Sequence, residues 1–393
     1  MDKHIRNISF VISILVSILV MSVNGGTHRL SCNFPAIYNF GDSNSDTGGS
    51  SAAFWPANDP KGETFFHRPA GRGSDGRLII DFMAEHFGLP LLSPYLDSLG
   101  TNFRHGANFA IGGSTIRRLN ESMFLNGVPP FPTEIQVVQF RNFKERSTRL
   151  YKQAKRKSER RGLPRPDDFT KSLFTFDTGQ NDLAAGFRTM TNDQFVKEIP
   201  DIINKLADGI SNLYNEGARA FWIHNTGPIG CLAVTLRGIH DPLPGYLDRH
   251  GCVKFQNDMA IEFNKQLKKK VMELRKKLPL AAFTYIDMFA AKYKLITDAQ
   301  KEGFLDKAEI CCGYHENNNH VWCGNDAIIN GTKIHAGSCK DPSNYISWDG
   351  VHYTEAANHW IADYIINGSF SDTKLPLSQA CHRLPLQSQV ELH

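Results

Sequence analysis

Ser43, and the pair Asp349 and His352, are the residues of this 393-residue chain best suited by type and spacing to do chemistry. A serine hydroxyl is a weak nucleophile until a neighbouring base takes its proton. Asp349 and His352 lie three residues apart in the stretch WDGVH. In a turn before a helix, two such side chains point the same way. The carboxylate then holds one ring nitrogen and leaves the other to face a hydroxyl, which is the logic of nucleophilic acyl transfer. That chemistry also needs hydrogen-bond donors waiting where an oxyanion will form. The candidates are the backbone N–H of Ser43, the backbone N–H of Gly113 and the side-chain amide of Asn181. Gly113 has no Cβ to block an incoming oxygen, and the Asn181 amide carries two donors. Taken singly, each of these is an ordinary turn residue, so the inference rests on their combination.

The elements that must position them can be read from apolar runs and their breaks. Ser43 follows a short apolar run, 36–40, bounded by Pro35 and Gly41 and too short for a helix. Four further runs read as buried strands, at 107–111, 173–177, 220–224 and 282–286. Gly113 and Asn181 come just after the second and third. Between the strands, 76–88, 194–215 and 252–278 have the apolar spacing of amphipathic helices, and a last helix begins at Thr354. Strands alternating with helices imply a parallel sheet covered on both faces. In such sheets, sites form beyond the carboxyl ends of the strands. No internal repeat and no domain boundary is visible. The expected organisation is a signal segment, 1–25, and one domain, 26–393, with loop insertions near 54–75, 116–170 and 303–346.

The net charge of +4 is small for this length and argues against a nucleic-acid partner. It is also local: residues 141–171 hold twelve Lys and Arg against four acids. Within it, 141–168 lacks a continuous apolar face and reads at its centre as an exposed helix or mobile loop, with docking to an acidic polymer or membrane surface as the functional alternative. At the N-terminus, Lys3 and Arg6 precede an apolar run, 8–23, broken only by serines and followed by small residues. That is the pattern of a secretory signal. No second long apolar segment exists, so stable membrane insertion after processing is not expected. Eight cysteines fit an oxidising compartment. Three sequons, at Asn120, Asn330 and Asn367, are candidate glycan sites on an exported chain. Cys311, Cys312, His315, His320 and Cys323 mimic zinc-ligand spacing, but disulfides are the expectation in such a chain. Cys231 with Cys252, and Cys32 with Cys381, are plausible pairs; sequence does not settle the pairing.

Four stretches together resemble the sequence blocks of the GDSL-type esterases and lipases, the SGNH hydrolase superfamily. They are GDSNSDTGG around Ser43, NFAIGG ending at Gly113, GQND around Asn181, and DGVH from Asp349 to His352. The resemblance runs from about Cys32 to Cys381, with the blocks in the family's order. Asn44 departs from the leucine of the namesake motif but removes no catalytic group. ETFFHRPAGRGSDGRLIIDF, HNTGPIGCL and WDGVHYTEAANHW resemble the secreted plant branch of early-nodulin-type esterases, some of which carry an α-L-fucosidase label. The resemblance implies an α/β fold: a flavodoxin-like three-layer α/β/α sandwich with a five-stranded parallel sheet. It implies Ser43, Asp349 and His352 as the catalytic triad and Ser43, Gly113 and Asn181 as the oxyanion hole, with no metal or organic cofactor.

The expected activity is hydrolysis of acetyl or short-chain acyl esters of a small molecule, glycoside or polysaccharide. The expected location is extracellular or cell-wall, with the vacuole as alternative. A fucosidase-type glycoside hydrolase is the rival reading, with Asp42 and Asp46 as the available carboxylates. A catalytically quiet glycan-binding or defence protein is the third. The absence of a G-x-S-x-G elbow argues against the α/β-hydrolase fold.

Overall fold

The computed structural model describes residues 31–119, 131–316 and 319–383. The signal-like segment and Asn120 lie outside the described residues. Five fully buried strands form one parallel sheet: β1 (Ile37–Gly41), β2 (Gly106–Asn108), β3 (Leu173–Asp177), β4 (Ala220–His224) and β5 (Ala282–Ile286), in the order β2-β1-β3-β4-β5. Parallel strands need crossovers, and helices supply them here. They are α1 (Gly49–Ala53), α2 (Ile79–His86), α3 (Thr133–Gln153), α4 (Gln180–Thr189) and α5 (Asn192–Asn215). Four more follow: α6 (Ala233–Arg237), α7 (Lys254–Lys277), α8 (Met288–Thr297) and α9 (Glu355–Ile366). This is an α/β fold of the flavodoxin-like strand order, whose direction of winding reverses between β1 and β3.

Alternating side chains on each strand feed two cores, as the two-residue period of a strand requires. Tyr38 and Phe40 of β1 and Phe174 and Phe176 of β3 face one core, which α3, α5 and α7 cover with Phe140, Ile203 and Phe263. Ile37, Leu173 and Trp222 face the other, covered by α2, α8 and α9 through Met83, Leu295 and Ile361. On that second side β1 also carries Asn39, fully buried. Its amide donates to Asn108 Oδ1 at 2.8 Å, and its carbonyl accepts from Thr175 Oγ1 at 2.7 Å. A polar seam thus runs across β2, β1 and β3, through the middle of β1 and β3, with its side chains paired as burial demands.

The basic stretch differs from its sequence reading at its start. α3 enters it and buries Val137, Phe140, Phe143 and Ser147 along one helical stripe. Two of those positions precede the stretch, so a window confined to 141–168 misses the face they complete. The insertion after α8 holds an antiparallel hairpin, β6 (Asp326–Ile329) with β7 (Thr332–His335). All eight cysteines are paired: Cys32–Cys381, Cys231–Cys252, Cys311–Cys339 and Cys312–Cys323. Cys312 and Cys323 are therefore bonded to each other and are not thiolate ligands, despite their zinc-like spacing.

Candidate active site

Chain reversal after β1 exposes Ser43. Gly41 ends the strand against Asp177, where a Cβ would come within 2.2 Å of the Asp177 carbonyl oxygen, so only glycine fits. Gln136 of α3 replaces the missing sheet partner: its carbonyl accepts from Gly41 N–H and its amide donates to the Gly41 carbonyl, both at 2.8 Å. Beyond this clamp, Asp42 Oδ1 accepts from the backbone and side-chain nitrogens of Asn44, each at 3.0 Å, which brackets Ser43. Asn44 thus has a structural part in this turn that leucine lacks. Asp46 then gathers the loop. Its carboxylate accepts from the N–H of Gly48 at 2.8 Å and Gly49 at 2.5 Å, and from the Ser50 hydroxyl at 2.7 Å. It also accepts from Gly112 N–H at 2.9 Å, tying the loop after β1 to the Gly112–Gly113 loop.

Ser43 Oγ lies 2.7 Å from His352 Nε2, and His352 Nδ1 lies 2.7 Å from Asp349 Oδ2. The other Asp349 oxygen accepts from the N–H of Val351 at 3.0 Å and of His352 at 2.8 Å. Burial opposes the charge of Asp349, but the adjoining imidazole and these N–H donors outweigh it and hold the carboxyl at about 2. Burial likewise opposes protonation of His352; the Asp349 carboxylate more than offsets it, and the imidazole sits above its ordinary range. The turn is held from two sides. Cys311 and Cys312 donate backbone hydrogen bonds to Ser347 and Trp348, and Ser74 Oγ donates to the Tyr353 carbonyl at 2.9 Å. α9 starts at once because the Thr354 hydroxyl caps it, accepting from Ala357 N–H at 3.2 Å.

Gly113 adopts φ +80°, the left-handed region that favours glycine. Among the described residues neither its N–H nor that of Ser43 has a hydrogen-bond partner. Asn181 lies in the first turn of α4 rather than in a free turn, because Gly179 caps that helix at φ +111°. One of its amide hydrogens is spent on the Ser114 carbonyl at 2.9 Å, and the other remains. Asp182 beside it accepts from Ile116 N–H at 2.8 Å, so α4 fixes the loop that carries Gly113. These groups come from the loops after β1, β2 and β3 and from the turn before α9, around the switch point of the sheet, where doubly wound folds place their sites.

Sequence reasoning missed Gln136 and gave Asp46 no structural task. The run of small residues after Asp46 was a usable signal, since an aspartate before consecutive glycines commonly accepts from their N–H groups. Nothing in the neighbours of Gln136 marks it. Of the sequons, Asn330 is exposed between β6 and β7, and Asn367 is exposed at the end of α9.

Comparison with known proteins agrees with this architecture. Residues 37–365 match the family model of the GDSL-like lipase/acylhydrolases. A GDSL esterase/lipase of Arabidopsis thaliana is 57% identical over 353 residues, covering 90% of this chain and 91% of the relative. An esterase of Hevea brasiliensis is 49% identical over 358 residues, 90% of each chain. Alpha-L-fucosidase 3 of Arabidopsis thaliana is 47% identical over 370 residues, 93% of this chain and 96% of the relative. With a parallel five-stranded sheet of the SGNH type and a match over most of its length, the chain belongs to the GDSL-like lipase/acylhydrolase family and is a carboxylic ester hydrolase.

Proposed function

We propose that Ser43 is the nucleophile, His352 the general base and Asp349 the residue that orients it, in a secreted esterase acting on acetyl or short-chain acyl esters. The unbroken chain Ser43 Oγ–His352–Asp349, with both links at 2.7 Å, supports this reading. His352 Nε2 takes the Ser43 proton as Oγ bonds to the acyl carbon. The carbonyl oxygen becomes an oxyanion facing the N–H groups of Ser43 and Gly113 and the spare amide hydrogen of Asn181. Collapse breaks the bond to the alcohol oxygen, which leaves with the proton held on His352. Water then gives its proton to His352 and attacks the acyl-enzyme, and the acid departs as the proton returns to Ser43.

Small-molecule, glycoside and polysaccharide esters are the substrate class, in keeping with the esterase and fucosidase names of the relatives. The chain is read as a signal segment, 1–25, and one hydrolase domain, 26–393, delivered to the extracellular space or cell wall with glycans at Asn120, Asn330 and Asn367. Four disulfides and no free cysteine fit that compartment. Among the described residues no helix is long and apolar enough to cross a membrane.

The glycoside-hydrolase alternative needs two carboxylates flanking the bond to be cut. Asp42 is fully buried beneath the Ser43 turn, and the Asp46 carboxylate is occupied by backbone and hydroxyl donors. Both facts weigh against it. The test is a p-nitrophenyl ester series from acetyl to palmitoyl with p-nitrophenyl-α-L-fucoside alongside, on the protein and on Ser43→Ala. Fastest release from the short esters, no fucoside release, and loss of both turnover and fluorophosphonate labelling in Ser43→Ala are expected. Fucoside release that survives Ser43→Ala would overturn the assignment.

A further inference from the structure

The disulfides consume the cysteines of the insertion after α8 and leave its two histidines, His315 and His320, which have no part in the steps above. Cys312–Cys323 closes a short loop whose ends are 11 residues apart. Inside it Tyr314 and Val321 form a two-way antiparallel pair. Tyr314 N–H donates to the Val321 carbonyl at 3.0 Å, and Val321 N–H donates to the Tyr314 carbonyl at 2.9 Å. His315 and His320 are the next pair outward, and antiparallel geometry puts such side chains on one face. Their Nδ1 atoms lie 2.7 Å apart. Gly313 makes room for the first ring, since a Cβ there would stand 2.3 Å from His315 Nε2. Trp322 meets the second ring edge-on, with ring centres 4.2 Å apart. His320 is exposed, so the pair is open to solvent.

One tautomer is set by the backbone. His315 Nε2 lies 3.4 Å from the Cys312 carbonyl oxygen, and a carbonyl only accepts, so that nitrogen carries the proton. His315 Nδ1 is therefore a lone pair facing His320. Metal-bound histidines have the same arrangement, with the other ring nitrogen donating to a carbonyl or carboxylate. The placement of the rings also fits a cation. Two imidazoles bound at right angles to one ion, through bonds of about 2.0–2.1 Å, have nitrogens about 2.9 Å apart and ring centres about 4.5 Å apart. The observed separations are 2.7 Å and 4.5 Å, with the ring planes inclined at 46°. A tetrahedral ion would need the nitrogens about 3.3 Å apart, a larger opening of the pair. Ligation at right angles suits tetragonal Cu2+, which also binds such ligands tightest among the first-row divalent ions. The four disulfides fit an oxidising compartment, where copper is divalent.

We propose that His315 and His320 form a surface site for a divalent copper ion, held through both Nδ1 atoms with solvent in the remaining positions. In the free pair His320 Nδ1–H donates to His315 Nδ1. On binding, that proton passes through solvent to His320 Nε2, and both rings stay neutral, as ligation requires. The site stands apart from the triad and does not depend on the triad reading. Its link to the reaction turn is through the backbone: Cys312, whose carbonyl orients His315, donates its N–H to the Trp348 carbonyl at 2.6 Å, one residue before Asp349.

The test is titration of the metal-free protein with copper(II) chloride at neutral pH, followed by electron paramagnetic resonance and tryptophan emission, on the protein, His315→Gln, His320→Gln and Trp322→Phe. The protein is expected to take up one equivalent with an axial spectrum split by ring nitrogens, and its emission to be quenched. Each histidine variant should bind that equivalent about tenfold more weakly or not at all. Trp322→Phe should keep the equivalent and lose part of the quenching, since that indole is the one against His320. Excess Ca2+ or Mg2+ should not displace the copper, because both prefer oxygen ligands. Uptake by His320→Gln equal to that of the protein overturns the proposal, and that variant alone decides if His315→Gln does not fold. A bound ion without nitrogen splitting overturns it as well. Quenching undiminished in Trp322→Phe places the copper elsewhere and has the same consequence.

Discussion

In the proposed mechanism His352 stands between the Ser43 hydroxyl it deprotonates and the Asp349 carboxylate that stabilises its charged form, and its working pH range follows. The base acts only when neutral, so kcat/KM falls as pH drops through the His352 pKa. Asp349 favours the imidazolium and raises that pKa, against the lowering effect of burial. The acid limb is therefore expected above the ordinary histidine value, and a pH–rate profile checks it. Asp349→Asn removes the anion, so the limb should move to lower pH while the plateau drops. Asn181 offers a second residue-scale test. With one amide hydrogen committed to Ser114, the remaining hydrogen is the proposed oxyanion donor. Asn181→Ala should lower kcat by about 10²- to 10³-fold with KM little changed, measured by steady-state kinetics on p-nitrophenyl acetate.

At the scale of elements, the end of β1 is the part that must not move. It is locked by the Gln136 amide from α3, which satisfies both backbone groups of Gly41, and by the seam of Asn39, Asn108 and Thr175 across three strands. Gln136→Ala leaves the buried Gly41 N–H without a partner and the Gly41 carbonyl with only the Ile111 N–H at 3.2 Å. It should cost about 1–3 kcal/mol in chemical denaturation and reduce kcat more than it raises KM, because the Ser43 turn loses its anchor while the substrate-facing groups remain. Proteins with the cost but an unchanged kcat would show that α3 supports the sheet and not the turn.

For the molecule as a whole, the proposed reacting groups are assembled from opposite ends of the chain, 309 residues apart between Ser43 and His352. Long-range staples match that demand. Cys32–Cys381 closes a loop of 349 residues and brings the segment before β1 against the one after α9. Cys311–Cys339 and Cys312–Cys323 brace the insertion that hydrogen-bonds to Ser347 and Trp348 in the turn before α9. The double variant Cys32→Ser/Cys381→Ser should lose about 2–5 kcal/mol of unfolding free energy in a urea titration, mainly through the freer unfolded chain. A loss well under 1 kcal/mol would mean that the packing of α2, α8 and α9 alone holds the termini.

Much of this was legible in the residues because it is local or periodic. The five strands stand out as short apolar runs, the long helices as 3.6-residue stripes, and Asp349 and His352 as a pair on one turn, since spacing along a chain fixes which side chains share a face. Ser43, Gly113 and Asn181 could be placed at strand ends for the same reason. Partner choice between distant segments has no such period. Gln136 reaches Gly41 over 95 residues, and Asp46 reaches Gly112 over 66. α3 was obscured because its apolar face begins before the basic stretch that draws attention. Asn181 looked like a turn residue because a single left-handed glycine, Gly179, decides whether a helix starts there. The sequence by itself determined the kind of sheet and the inventory of reactive groups. Only the tertiary structure decided which buried charges face one another and which hydrogen-bonding groups are left free, because burial and distance belong to the packed chain and not to the order of its residues.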